Sequence, residues 1–269
     1  MVSGSGVRCG SVRKNAGGNP TGKCRAAMRA AILALRRCRD WGFSLITMTD
    51  NLYQDIANRR AAILAALAAA HDPAPELIAV SKSQPYETIE AILAAGQRVF
   101  GENRVQEAQQ HWDHRRQSHP GLTLHLIGPL QSNKAADAVR LFDVIQTLDR
   151  EKLAGALADA MEREGRRPKL YIQVNTGEEP QKAGVLPSKV GNLLRHAREE
   201  AGLEVEGLMC IPPVEEPAGP HFALLRKIAH DYGLPSLSMG MSGDYELAAR
   251  YGATHVRVGT ALFGDRAKA

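Results

Sequence analysis

Eight short apolar runs recur along the chain with helix-like segments between them, and this alternation constrains the fold more than any other feature. The runs cover 77–81, 98–101, 122–127, 144–148, 169–174, 205–211, 236–241 and 255–258. The segments between them cover 85–95, 103–117, 131–140, 150–164, 187–201, 217–232 and 243–251. Runs this short and this apolar read as strands buried on both faces. Parallel strands need helical crossovers, and eight strand–helix steps close into a (β/α)8 TIM barrel. A doubly wound open sheet competes, but it would put a glycine-rich phosphate turn after the first strand, where this chain has Lys82. An alanine-rich amphipathic helix over 51–70 precedes the first run and is ended by Asp72-Pro73-Ala74-Pro75. The expected organisation is a single barrel domain over 48–269 behind a basic extension over 1–47.

Charge supports that division. The whole chain carries +5, but residues 1–47 hold nine basic side chains against Asp40, a local +8 that leaves 48–269 at −3. The barrel therefore offers no charge argument for nucleic acid. The extension is arginine-rich and acid-poor, like a mitochondrial presequence; the competing expectation is that translation begins at Met48. Within it, Gly17-Gly18-Asn19-Pro20-Thr21-Gly22-Lys23 approaches a P-loop, but Cys24 stands where the metal-binding hydroxyl belongs and no strand precedes it. No apolar run reaches the ~20 residues of a membrane span. Cysteines at 9, 24, 38 and 210 have no metal-ligand spacing, and a reducing cytoplasm is the expected compartment.

Barrels place chemistry at the carboxyl ends of their strands. Lys82 closes the first run there, and two readings are open for it. A lysine can snorkel from a strand end. Alternatively, burial disfavours its ammonium, and the free amine attacks an aldehyde to form a Schiff base. Glu102 and Asn103 follow the second run, Gly128 to Lys134 the third and Asn175 the fifth, while Met209 sits in the sixth. After the last two runs come Ser242-Gly243 and Gly259-Thr260, in the loops where barrels frequently hold a phosphate. An amine seeking an aldehyde and a phosphate-suited pair of loops together fit pyridoxal 5′-phosphate. Arg257, two residues before Gly259, would face the ring nitrogen, donating and never accepting a proton; pairing with an acidic barrel residue is the other reading.

The segments Ala79-Val80-Ser81-Lys82, Phe100-Gly101-Glu102-Asn103-Arg104-Val105-Gln106-Glu107, His125-Leu126-Ile127-Gly128-Pro129-Leu130-Gln131-Ser132-Asn133-Lys134, Leu237-Ser238-Met239-Gly240-Met241-Ser242 and Val256-Arg257-Val258-Gly259-Thr260 resemble the pyridoxal phosphate homeostasis family. These are single-domain relatives of the alanine racemase barrel. Val174-Asn175 with Lys182 and Gly184, and Gly207-Leu208-Met209, extend the likeness, which runs from about residue 50 to 266. It implies a fold-type III barrel with the cofactor as an aldimine on Lys82 and Arg257 facing its ring nitrogen. Ser242, Gly259 and Thr260 would hold the phosphate, with Asn103 beside the ring and Met239 among the cofactor contacts. Gly243 and Ala253 depart from the family's usual acidic or polar residue and serine.

The resemblance also implies a role: binding, buffering and delivering pyridoxal phosphate to apo-enzymes that depend on it. A monomer is expected, without nucleic-acid or membrane partners. An amino-acid racemase needs a second base, which alanine racemases draw from a further domain, and none of the six tyrosines is placed by a motif at the barrel mouth. A Schiff-base aldolase without cofactor usually carries its lysine on a later strand. No catalytic residue is therefore assigned. His111 and His114 flank Asp113 on a helix without a third ligand and read as a solvated face, with Trp112 as packing; no metal site is expected.

Overall fold

The computed structural model describes residues 51–264. Expectations about residues 1–47, the P-loop-like segment and the start at Met48 lie outside the described residues. The order is α1 (51–70), β1 (Glu76–Val80), α2 (Tyr86–Ala94), β2 (Val99–Glu102), α3 (Val105–Trp112), α4 (Arg115–Ser118), β3 (Thr123–Leu126), α5 (Ala135–Leu141), β4 (Val144–Leu148) and α6 (Glu151–Glu164). Then follow β5 (Lys169–Val174), α7 (Val190–Arg195), β6 (Val205–Cys210), α8 (Ala218–Asp231), β7 (Ser236–Ser238), α9 (Tyr245–Arg250), β8 (His255–Val258) and α10 (Thr260–Phe263). The eight strands form a closed parallel barrel in sequence order. Closure is made by β1 on β8, with Leu77 opposite Val256 and Ile78 opposite Arg257.

Strand alternation sorts side chains into two layers. Leu77, Ala79, Phe100, Leu124, Ile145, Ile172, Leu208, Leu237 and Val256 point outward into one continuous apolar cluster. The helices meet that cluster with stripes at helical spacing, such as Leu153, Ala154, Leu157, Ala160 and Met161 on α6. Each leucine, isoleucine, valine, phenylalanine or methionine of this layer taken fully out of water contributes about 1.5–3 kcal/mol, so the layer carries most of the hydrophobic stabilisation. Inside the barrel, Val144, Tyr171 and Met209 form a small separate buried apolar cluster.

Several boundaries differ from the sequence expectation. The second run shifts to Val99–Glu102, which puts Glu102 inside the strand. The seventh ends at Ser238, because the chain turns through Gly240 at φ +92°. The helix expected over 103–117 is two pieces, α3 and α4. The segment over 187–201 is not one α-helix: a tight turn at Pro187–Lys189 precedes α7, and a wider turn over His196–Glu200 closes with Ala201 N–H donating to the His196 carbonyl at 3.0 Å. No described helix is long and apolar enough to cross a membrane.

Candidate functional site

A cavity of about 330 Å³ opens at the carboxyl ends of the strands. Lys82 enters it from the loop after β1, where residue alternation from the inward-facing Ile78 and Val80 sets its direction. Asn103 contributes from the loop after β2, Ser242 and Gly243 from the loop after β7, and Arg257 from β8. Gly259 and Thr260 follow β8 directly. Val80, Ile127, Ile211 and Met241 supply apolar wall.

Six of the seven residues expected to form the site thus line one cavity. Met239 does not: it is fully buried in the outer apolar layer. The alternation that turns Ser238 inward turns Met239 outward, and Met241 is the methionine in the cavity wall. Asn175 does not line the cavity; its amide donates to the Glu179 carbonyl at 2.8 Å and accepts from Glu179 N–H at 3.3 Å, holding its own loop. Met209 lies with the interior apolar cluster.

Arg257 is 3% exposed, and its guanidinium is held on two sides. One Nη donates to Ser238 Oγ at 2.8 Å and the other to the Cys210 carbonyl at 2.8 Å. The acidic partner weighed for it is not an ion-pair contact of this arginine among the described residues. Burial lowers its pKa, countered in part by the neighbouring Cys210 and Asp244. Burial also pushes the Cys210 thiol up to about 12, which keeps it protonated and inert.

Below Arg257 a polar chain crosses the barrel interior. Ser238 Oγ donates to Gln146 Oε1 at 2.7 Å, and Gln146 Nε2 lies 2.7 Å from His125 Nδ1. An amide nitrogen only donates, so His125 Nδ1 accepts and the ring is neutral. Burial, with His255 and Lys169 adding repulsion, lowers the His125 pKa from 6.5 to about 3. Every member thus has a defined orientation, and the chain ends on Arg257. Sequence reasoning missed Gln146 and His125 in this role. The available signal was a strongly polar side chain, glutamine or histidine, inside an otherwise mostly apolar run at each position.

The loops after β7 and β8 meet through Ser242, whose Oγ accepts from the backbone N–H groups of Gly259 at 3.3 Å and Ala261 at 3.2 Å. Both N–H groups are thus directed at one point, where a hydroxyl oxygen accepts them. At Gly259 an added Cβ would only reach ordinary contact with Val80 at 3.6 Å. The space it spares lies beside the cavity it lines. Gly128 is different: a Cβ there would sit 2.3 Å from the Asn103 carbonyl, so this glycine lets the loops after β2 and β3 touch and fixes the backbone of Asn103.

Behind Lys82, the buried Glu102 accepts from Ser81 Oγ at 2.7 Å and Trp112 Nε1 at 3.1 Å, and pairs with His111 Nδ1 at 2.9 Å. The solvated-face reading of this helix therefore holds for the exposed His114 but not for His111, which turns inward to the carboxylate. Trp112 packs, as its type suggests, and also donates. The effect is to tether the residue before Lys82 to β2 and α3.

Lysine, buried arginine and a donor-lined loop pair in one cavity fit pyridoxal phosphate, and likeness to known proteins agrees. Residues 57–267 match the family described as alanine racemase, N-terminal domain. A pyridoxal phosphate homeostasis protein of Vibrio cholerae is 42% identical over 203 residues, covering 71% of this chain and 85% of that protein. One of Pseudomonas aeruginosa is 40% identical over 228 residues, covering 82% and 96%. PipY of Synechococcus elongatus, solved with pyridoxal phosphate bound, is 41% identical with a TM-score of 0.70, covering 78% of this chain and all of that one (100%). An alanine racemase of Clostridium difficile, at 13% identity and a TM-score of 0.62, shares the fold. By sequence and by fold, the chain belongs to the pyridoxal phosphate homeostasis protein family, built on the alanine racemase N-terminal barrel.

Proposed function

We propose that this chain binds pyridoxal 5′-phosphate in the cavity and serves in its homeostasis, as a cytoplasmic, monomeric carrier that buffers the cofactor and delivers it to apo-enzymes. When bound, the cofactor supplies an aldehyde that condenses with amines and a ring that withdraws electrons. Lys82 would hold the aldehyde covalently, Arg257 would face the ring nitrogen, and Asn103 would stand beside the ring. Ser242, Gly259 and Thr260, with the N–H groups of Gly259 and Ala261, would hold the phosphate.

The observation that carries the reading is Lys82 and an Arg257 held in place on two sides, on one cavity with those two N–H groups. Arginine can donate to a ring nitrogen but has no proton to give up at neutral pH, so the ring stays a weak electron sink. Among the described residues, no tyrosine, histidine or carboxylate lines the cavity with Lys82. One base beside a weak sink suits retention and release of the cofactor over two-base turnover, which supports a carrier and not a racemase.

Purified protein mixed with pyridoxal phosphate is expected to turn yellow, and borohydride reduction to fix the added mass on Lys82. Lys82→Ala should lose both signals while keeping its circular dichroism. A Lys82→Ala protein that still gives a reduced adduct elsewhere in the cavity would defeat the assignment. Transfer is checked by activation of a pyridoxal phosphate-dependent apo-enzyme at a rate above that of free cofactor release.

A further inference from the structure

A second concavity of about 600 Å³ adjoins the first, and Asn103 lies in the walls of both. Three consecutive strand ends each give it a cation. Arg104 comes from the loop after β2, Lys134 from the short turn after β3, and Arg150 from the loop after β4. Gln106 and Gln131 add neutral amide groups, and no carboxylate is in its lining.

The positive charge is incompletely compensated. Arg104 has no ion-pair partner among the described residues. Lys134 Nζ stands 3.5 Å from Asp137, a carboxylate that Arg140 approaches more closely, at 2.9 Å. Arg150 is the ordered member: it pairs with Asp149 at 2.5 Å and donates to the Leu130 carbonyl at 2.9 Å. That bond ties the loops after β3 and β4 together across the groove.

We propose that this groove is a second anion site, taking a small phosphate monoester, distinct from the cavity that holds Lys82. A concavity of this size fits a small molecule. Two forked guanidiniums and an ammonium match the oxygens of a tetrahedral dianion, and the glutamine amides supply further donors. A ligand there would lie alongside whatever fills the first cavity, with Asn103 between them. The site needs no chemistry at Lys82, so it stands apart from the cofactor assignment.

The test closes the first cavity before probing the second. Protein is loaded with pyridoxal phosphate, reduced with borohydride, and checked by mass. It is then titrated calorimetrically with pyridoxine 5′-phosphate, which has no aldehyde, and with pyridoxine. One equivalent of the phosphate ester is expected to bind saturably, and pyridoxine not at all. Arg104→Ala with Lys134→Ala should weaken binding about a hundredfold, roughly tenfold for each lost cation–phosphate contact. Absence of saturable binding, binding unchanged in the double variant, or equally tight pyridoxine would overturn the proposal. Should reduction yield no adduct, the cofactor assignment falls by itself. The groove is then judged by titrating Lys82→Ala with and without Arg104→Ala and Lys134→Ala, where loss of binding with the cations supports it and unchanged binding overturns it.

Discussion

The two sides of the barrel wall are built from the same strands yet do different work. Outward, Leu124, Ile145, Leu237 and Val256 join a single apolar cluster with the helices. Inward, at alternate positions of those strands, His125, Gln146, Ser238 and Arg257 form a bonded polar chain. The outer layer stabilises through buried area, which is non-directional and tolerates reshaping. The inner chain depends on direction, because each buried donor must meet its acceptor. Stability and the orientation of Arg257 are thus assigned to opposite faces of one sheet.

Substitutions can separate these roles. Phe222 is fully buried against the outside of the wall, and Phe222→Ala should cost about 3–5 kcal/mol. Denaturant unfolding should show that loss, while the cofactor spectrum of the molecules that remain folded stays as in the parent. Gln146→Leu should cost less, about 1–3 kcal/mol, by stranding the Ser238 hydroxyl and His125 Nδ1. Its signature is a shifted cofactor absorbance, because Ser238 no longer orients Arg257. A large stability loss with an unaltered spectrum would erase the distinction between the layers.

A third experiment uses pH. His125 takes up a proton in the unfolded chain near its ordinary 6.5 but in the folded chain only near about 3. The unfolded state therefore binds more protons between those values, and stability falls as pH falls through them, by at most about 1.4 kcal/mol per pH unit. His125→Gln should flatten that slope in urea titrations. The smallest effect is expected from Ser242→Ala, which removes a half-buried hydroxyl. The apo-protein melting temperature should hold, and affinity for pyridoxal phosphate should weaken about fivefold.

The outer layer was legible in the sequence because its signal is local. Apolar runs at regular spacing fix the strands, and the barrel follows from their number. Lys82, Arg257, Ser242 and Gly259 were legible because strand ends in such a barrel converge on one mouth. The inner chain was not legible. A single glutamine within Val144–Leu148 can face either side, and its partner Ser238 is set by closure of the whole barrel. His111 was misread for the same reason: what turns it inward is a carboxylate on a neighbouring strand. Met239 was assigned to the cavity on motif alone, although strand alternation points it away.

The bond between Gln146 and Ser238 joins positions 92 residues apart in the chain. Local helices and neighbouring strand pairs can form before it, but this bond waits for the first and second halves of the barrel to come together. It should therefore be absent from the rate-limiting transition state of assembly. Gln146→Leu would then leave the refolding rate nearly unchanged and accelerate unfolding, making the polar chain a latch that governs how long the closed barrel persists.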